Sequence, residues 1–279
     1  MNFASDSSSL TIDREFAFNA RDFTRVRTLI YERAGISLHE GKQAMVYSRL
    51  SRRLRETRHQ TFESYLQWLE NSPQQQEWQE FVNCLTTNLT SFFREEHHFH
   101  MLADWLKARG SKPTRIWCCA ASTGEEPYSL AMTVAENLGL HAPVKILCSD
   151  IDTNVLTTAS RGVYEASSRG LSPQRLRNYF LKGKGNHEGS IRIKPELARF
   201  VEFRPFNLMQ SNWQLGEAFD IVFCRNVMIY FDAPTQRKVL EHIHGVMKPG
   251  GMLFVGHSEN FTDSRDLFLL KGKTVYDRV

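Results

Sequence analysis

Long apolar runs are missing from this chain. No stretch approaches the roughly 18 apolar residues that a membrane span requires, and the opening MNFASDSSSLTID is polar and acidic where a secretory signal would carry an apolar run. A cytoplasmic protein, not inserted in a membrane, is therefore expected. A strong charge of one sign is missing too: 35 basic against 31 acidic residues leave +4, so any recognition by charge must come from a local patch. That balance excludes a surface built throughout for nucleic acid. Cysteine is sparse and unpatterned. Cys84, Cys118, Cys119, Cys148 and Cys224 form an odd set without CxxC spacing, which excludes a disulfide scaffold and reads as reduced core residues.

What is present is a core. Hydrophobic residues make up 41%, with 19 Phe, 8 Tyr and 5 Trp among 279 residues, enough for about two domains. The first dozen residues, Ser- and Asp-rich and aperiodic, are expected to be a mobile tail. Helical spacing follows: Phe23, Val26, Leu29 and Ile30 within 22–33, with Gly35 as a stop; Val46, Leu50 and Leu54 within 42–57; then 61–70 and 75–85. This is a small all-helical unit ending near Leu85.

After the bridge TTNLTSFFREEHHFHMLADWLKARG, short apolar runs alternate with amphipathic segments. Strands are expected at 115–119, 144–148, 198–204, 219–224 and 251–256, and helices at 128–138, 153–160 and 234–246. Alternation of this kind argues an α/β fold with a parallel sheet. The run 172–200 interrupts it, with Ser172 as a cap, Pro173 in a first turn, and the turn-rich LKGKGNHEGSIRIK. A small antiparallel insert is expected there.

In such a sheet ligands sit at the carboxyl ends of the strands. The loop after the first strand is Ala-Ala-Ser-Thr-Gly-Glu-Glu-Pro, residues 120–127. Small residues allow close approach and Gly124 permits an unusual backbone angle. G-x-G-x-x-G is absent, and Glu125 and Glu126 would repel a pyrophosphate, which disfavours NAD and ATP. The second strand ends in SDID, placing Asp150 where an acid accepts the hydroxyls of a ribose and Asp152 where it caps the next helix. Asn207 and Leu208 follow the third strand, and Arg225-Asn226 the fourth. A cationic nucleoside with a zwitterionic end fits this set, and S-adenosyl-L-methionine is that compound: Glu126 can pair its ammonium and an arginine its carboxylate.

The strings TTNLTSFFREEHHF, AASTGEEPYSLA, SDID, FCRNVMIYF and MKPGGMLFVGHSE closely resemble the chemotaxis receptor glutamate O-methyltransferase (CheR) family, over nearly everything after the first dozen residues. The resemblance implies a tail at 1–12, a helical domain at 13–88 and a Rossmann-like class I methyltransferase domain at 89–279 with its β-subdomain at about 172–200. It implies that Asn88, Thr90 and Arg94 reach over the cofactor, Glu126 meets its ammonium, Asp150 its ribose, and Asn207 and Leu208 its adenine. Arg225, Asn226 and Tyr230 would surround the transfer site, with Arg94 and Tyr230 as the catalytic pair. The implied reaction, that of a protein-glutamate O-methyltransferase, turns glutamates of chemoreceptors into methyl esters and S-adenosyl-L-methionine into S-adenosyl-L-homocysteine. A glutamate is already ionised at pH 7, so the site chiefly has to position it and strip its water.

Lys42, Arg49, Arg52, Arg53, Arg55 and Arg58 face a single acid, Glu56, within 42–58. Arg49, Arg52 and Arg53 share a helix face. By resemblance, Arg49, Arg52, Arg53 and Arg55 are expected to dock the acidic methylation helices of the receptors; a solvated face is the alternative. The insert is expected to bind a receptor's C-terminal peptide by strand addition, or else to be a structural hairpin. His97, His98 and His100 lack HExxH spacing and an obvious carboxylate partner, and no metal is expected. A monomer is expected. Two other readings stay open: methylation of RNA or another protein, although the fourth strand lacks an N-P-P-Y/F loop, and a non-catalytic receptor-binding adaptor that kept the fold.

Overall fold

The computed structural model describes residues 15–71 and 75–279; the expected mobile tail at 1–12 lies outside the described residues. The chain opens with four helices: α1 (Ala20–Ala34), α2 (Gln43–Thr57), α3 (Phe62–Asn71) and α4 (Gln75–Leu85). Asn19 begins α1 in a capping box with Asp22, and Gly35 ends it at φ 70°, the left-handed angle that suits glycine. The apolar faces meet in one core, where Val26, Ile30, Val46, Leu50, Leu54, Phe62, Tyr65 and Phe81 are all fully buried.

The basic run on α2 does not form the free cationic face expected of it. Arg53 turns inward, donating from Nε to Glu77 Oε1 at 3.1 Å and from Nη2 to Oε2 at 2.5 Å, while Tyr65 Oη donates to the same carboxylate at 2.8 Å. Its side chain is 14% exposed and Glu77's 8%, so Arg53 balances a buried acid and is withdrawn as a docking group. Arg49 also points home, to the Thr86 carbonyl at 2.5 Å. Arg52 and Arg55 stay exposed, in surface pairs with Glu56 and Glu15. The acids that quench the run, Glu15 and Glu77, are distant in sequence, which is why the local charge count overstated the patch.

The second unit begins with α5 (His97–Arg109), a helix inside what reads as a bridge. There follow β1 (Thr114–Cys118), α6 (Glu125–Leu138), β2 (Val144–Asp150), α7 (Thr153–Arg161), β3 (Val163–Glu165), α8 (Pro173–Tyr179), β4 (Phe180–Lys182), β5 (Ser190–Ile193), α9 (Pro195–Ala198), β6 (Val201–Pro205), β7 (Phe219–Cys224), α10 (Ala233–Val246), β8 (Met247–Val255), β9 (Phe268–Gly272) and β10 (Val275–Arg278). The main sheet has 7 strands in the order β6-β2-β1-β7-β8-β10-β9. The run from β6 to β8 is parallel, and β10 pairs antiparallel with both β8 and β9. Each face has its own core, as the pleat dictates: Ile116 and Cys118 point into one, Trp117 and Cys119 into the other. The order reverses between β1 and β7, so the ends of β1, β2 and β7 open onto one crevice.

Three details differ from expectation. The antiparallel insert has 3 strands, β3-β5-β4, and its first strand starts at Val163, before the expected boundary. Pro195 opens a helical turn, so β6 starts at Val201 rather than 198. The hairpin β9–β10 was not anticipated at all. Its turn places Lys273 at φ 48° and Thr274 at φ 62°, angles usually signalled by Asn-Gly. Buried His98 braces this turn, with Nε2 at 3.0 Å from both the Lys273 carbonyl and Thr274 Oγ1.

Because Arg53→Ala would leave Glu77 buried and uncompensated, it is expected to cost about 3 kcal/mol of stability, against less than about 0.5 kcal/mol for Arg52→Ala. Paired urea unfolding curves check this, and equal small losses would return Arg53 to the surface.

Candidate functional site

A cavity of about 300 Å³ lies where the helical unit closes over the carboxyl ends of β1, β2 and β7. Asn88, Thr90, Arg94, Glu126, Asp150, Asn207, Leu208, Arg225, Asn226 and Tyr230 all line it, so the structure gathers in one place residues spread through the sequence from 88 to 230. Arg49, Arg52, Arg53 and Arg55 do not line it, although Lys42 and Met45, at the start of α2, do.

The loop after β1 is shaped by backbone contacts. Gly124 adopts φ 100°, and a Cβ there would come within 2.5 Å of Tyr164 Oη, so the helix start is built for glycine. Ser122 N–H donates to Asp150 Oδ2 at 2.8 Å and Asp152 N–H to Oδ1 at 2.9 Å. Each Asp150 oxygen thus holds one backbone donor and keeps a lone pair for a ligand. Burial, the largest influence, pushes this carboxyl up to about 6, against the pull of the Asp152, Ser122 and Ile151 N–H groups. Asp152 does the capping, accepting from Asn154 and Val155 N–H. Its other oxygen takes Asn88 Nδ2 and Thr86 Oγ1, both at 2.8 Å, and Ser122 Oγ donates to the Asn88 carbonyl. The side chain of Asn88 therefore ties the bridge to the end of β2.

Arg225, only 1% exposed at its side chain, is the cation at the centre. It forms an ion pair with Glu126, lies 3.3 Å from Glu95 through Nη2, and donates to the Arg94 carbonyl at 2.5 Å. Burial works against its charge, but Glu126 and then Glu95 outweigh it and hold the guanidinium above its ordinary value. Glu126 is therefore already half-engaged before any ligand arrives. Arg94 is the contrasting arginine: its Nη1 donates to the Leu89 carbonyl at 2.9 Å and, among the described residues, it pairs with no carboxylate. It forms no pair with its chain neighbours Glu95 and Glu96.

Asn207 donates to the Arg33 carbonyl at 2.7 Å and Leu208 is buried beside it. Tyr230 borders the cores of both units, and its carbonyl accepts from Ser37 N–H at 2.8 Å. Sequence reasoning missed the part played here by Ile36, Leu38, His39 and Met45, which line the cavity from the helical unit. It also missed Glu95, one of two adjacent acids in a quoted string, and buried Glu259, whose only signal was a lone acid at the end of another. Glu95, His97 and His98 bring ligating atoms within 4.8 Å of one another, so the histidines do have a carboxylate neighbour. Arg225 already occupies that carboxylate, and burial pushes His98 down to about 4.

Two family descriptions match the chain: the CheR methyltransferase all-alpha domain over residues 21–86 and the CheR methyltransferase SAM binding domain over residues 88–276. A chemotaxis protein methyltransferase of Escherichia coli (strain K12) is 49% identical over 270 residues, covering 96% of this chain and 94% of that protein. Chemotaxis protein methyltransferase 2 of Pseudomonas aeruginosa is 48% identical over 268 residues, covering 95% of each. The cofactor is accordingly S-adenosyl-L-methionine. The cavity fits it, offering open lone pairs on Asp150, apolar Leu208 and the Glu126 carboxylate.

Were Asp150 to accept the ribose hydroxyls, its ionised form would serve best, because protonation leaves a weaker acceptor. Cofactor affinity is expected to fall about tenfold from pH 7 to pH 5, bending near pH 6, with Asp150→Asn weaker and flat. The unliganded protein moves the other way: a carboxyl raised by folding binds its proton more readily folded than unfolded, so this group adds stability as pH falls through 6. Calorimetric titration and thermal melts across that range check both signs, and a wild-type affinity without the bend would remove Asp150 from the ribose.

Proposed function

The chain belongs to the CheR methyltransferase family, and from that premise we propose that it methylates glutamate side chains of chemoreceptors to glutamyl methyl esters, in chemotactic adaptation. The observation that carries this reading is Arg94, a cation without a carboxylate partner among the described residues, lining the same cavity as Tyr230. It is free to steer an incoming carboxylate, while Tyr230 bounds the transfer space and offers a ring face to positive charge.

S-adenosyl-L-methionine supplies a methyl carbon made electrophilic by its sulfonium. In our reading Asp150 holds the ribose, Asn207 and Leu208 the adenine, and Glu126 the ammonium, with Asn88, Thr90, Arg225 and Asn226 closing the remaining sides. Carboxylate and sulfonium neutralise each other in the transfer, so strong unbalanced charge around them would favour the ground state. Arg225 balanced between Glu126 and Glu95 suits that requirement. Exclusion of water and alignment then supply the rate.

Acidic receptor helices would lie along α2, from its start, where Lys42 and Met45 reach the cavity, to its later turns, where Arg52, 78% exposed at its side chain, and Arg55, 57% exposed, can trade weak surface pairs for a partner's carboxylates. The edge strands β3 and β4, with Val163 and Leu181 exposed, are the candidates for adding a receptor's C-terminal peptide as a further strand. Among the described residues no helix is long and apolar enough to cross a membrane. We place the protein in the cytoplasm, acting as a monomer recruited to receptor arrays.

The test is transfer of labelled methyl from S-adenosyl-L-methionine to receptor-enriched membranes. Label released by mild alkali, and reduced about 100-fold in Arg94→Ala with cofactor affinity retained to within about tenfold, is the expected result. Cofactor binding without label on several receptors would instead favour the adaptor reading.

A further inference from the structure

Glu259 lies outside the cavity and is 4% exposed, yet four backbone N–H groups converge on its carboxylate. Oε1 accepts from Val227 at 3.0 Å and Met228 at 2.8 Å; Oε2 accepts from Asn226 at 2.9 Å and from Gly256. Three of these donors are consecutive, and they converge because Asn226 takes the left-handed angle φ 58°. Successive N–H groups turned inward in this way form a concavity that binds an anion. Here the chain fills the concavity with its own carboxylate.

The loop so held carries Arg225 at one end and Tyr230 at the other, and both line the cavity. Gly256 seals the contact: a Cβ there would lie 2.3 Å from Asn226 Nδ2 and 2.9 Å from both Asn226 N and Glu259 Oε2. Gln236 Nε2 fastens the far side through the carbonyls of Met228, at 3.0 Å, and Phe231, at 3.1 Å. A left-handed asparagine is strained on its own and persists where its surroundings fix it.

We propose that Glu259 is a positioning residue, whose carboxylate templates the 225–230 loop and so sets Arg225 and Tyr230 for cofactor binding and methyl transfer. The proposal rests on the cavity being the cofactor site. A glutamine cannot substitute. It keeps one acceptor oxygen and turns an NH2 group toward the other pair of N–H donors, leaving them unsatisfied.

The experiment measures S-adenosyl-L-homocysteine binding by calorimetry on the full chain for wild type, Glu259→Gln, Gly256→Ala and Asp150→Asn, alongside methyl-transfer kcat. Glu259→Gln and Gly256→Ala are each expected to weaken binding by the folded fraction about tenfold and to lower kcat about 100-fold, the loss typical of a roughly 1 Å misplacement. A merely structural role would lower the folded fraction and leave its affinity unchanged. Wild-type affinity in folded Glu259→Gln, with Asp150→Asn weakened, overturns the proposal alone; wild-type affinity in Asp150→Asn as well overturns the cavity reading. Should Glu259→Gln fail to fold, amide hydrogen exchange in the wild type decides. Asn226, Val227, Met228 and Gly256 protected to a common degree uphold the proposal, and exchange at open-loop rates overturns it.

Discussion

One side of the cavity depends on a single buried cation. Arg225 stands at the end of β7 with its guanidinium almost wholly out of water, a position that would be very costly without partners. Its partners come from two other elements: Glu126 from the first turn of α6, and Glu95 with the Arg94 carbonyl from the segment leading into α5. Satisfying that charge therefore fixes the relative positions of β7, α6 and the bridge. The carboxylate expected to meet the cofactor's ammonium is held by the same contact. Glu126 owes its place to a charge that no ligand supplies, so this side of the pocket is organised before the cofactor enters.

The other side is organised by the helical unit. Asn83 Nδ2 donates to Thr153 Oγ1, Gln79 Nε2 to the Ile151 carbonyl, and Thr86 and Asn88 to Asp152, all around the end of β2. Arg33, in the last turn of α1, and Ser37, just beyond it, reach Asn207 and Tyr230 through backbone groups. Arg49, read in the sequence as part of a docking face, instead holds the carbonyl from which the bridge departs. Its contribution runs through the cavity wall.

The sequence was legible wherever the chemistry is local. Capping by Asp152, the glycine angle at 124 and the stop at Gly35 each follow from residues within a turn of one another, and so does the strand and helix alternation that orders the sheet. It was illegible where a partner arrives from far away. Arg53 looks like a surface charge until Glu77, 24 residues on, is folded beneath it. Glu95 reads as one more acid in a charged run until Arg225 approaches from across the sheet. Lys273 and Thr274 form a turn that neither residue type announces, because His98 supplies the support their own backbone angles lack. Glu259 lies within a string that identifies the family, but its task appears only when four N–H groups from two segments point at it.

These distant partners share a physical reason. In the proposed reaction a sulfonium neutralises a carboxylate, a step that runs best where water is excluded, and excluding water means burying backbone and charged groups that must then be satisfied internally. Local turns cannot supply enough acceptors for the reversed backbone at Asn226 or enough anions for Arg225, so acids are brought in from elsewhere: Glu259 for the backbone, Glu126 and Glu95 for the guanidinium. The arginine left outside this accounting is Arg94, whose guanidinium, among the described residues, has only the neutral Leu89 carbonyl. In a site where Arg225 meets two acids, a cation paired with none is the group left able to answer a carboxylate from another molecule.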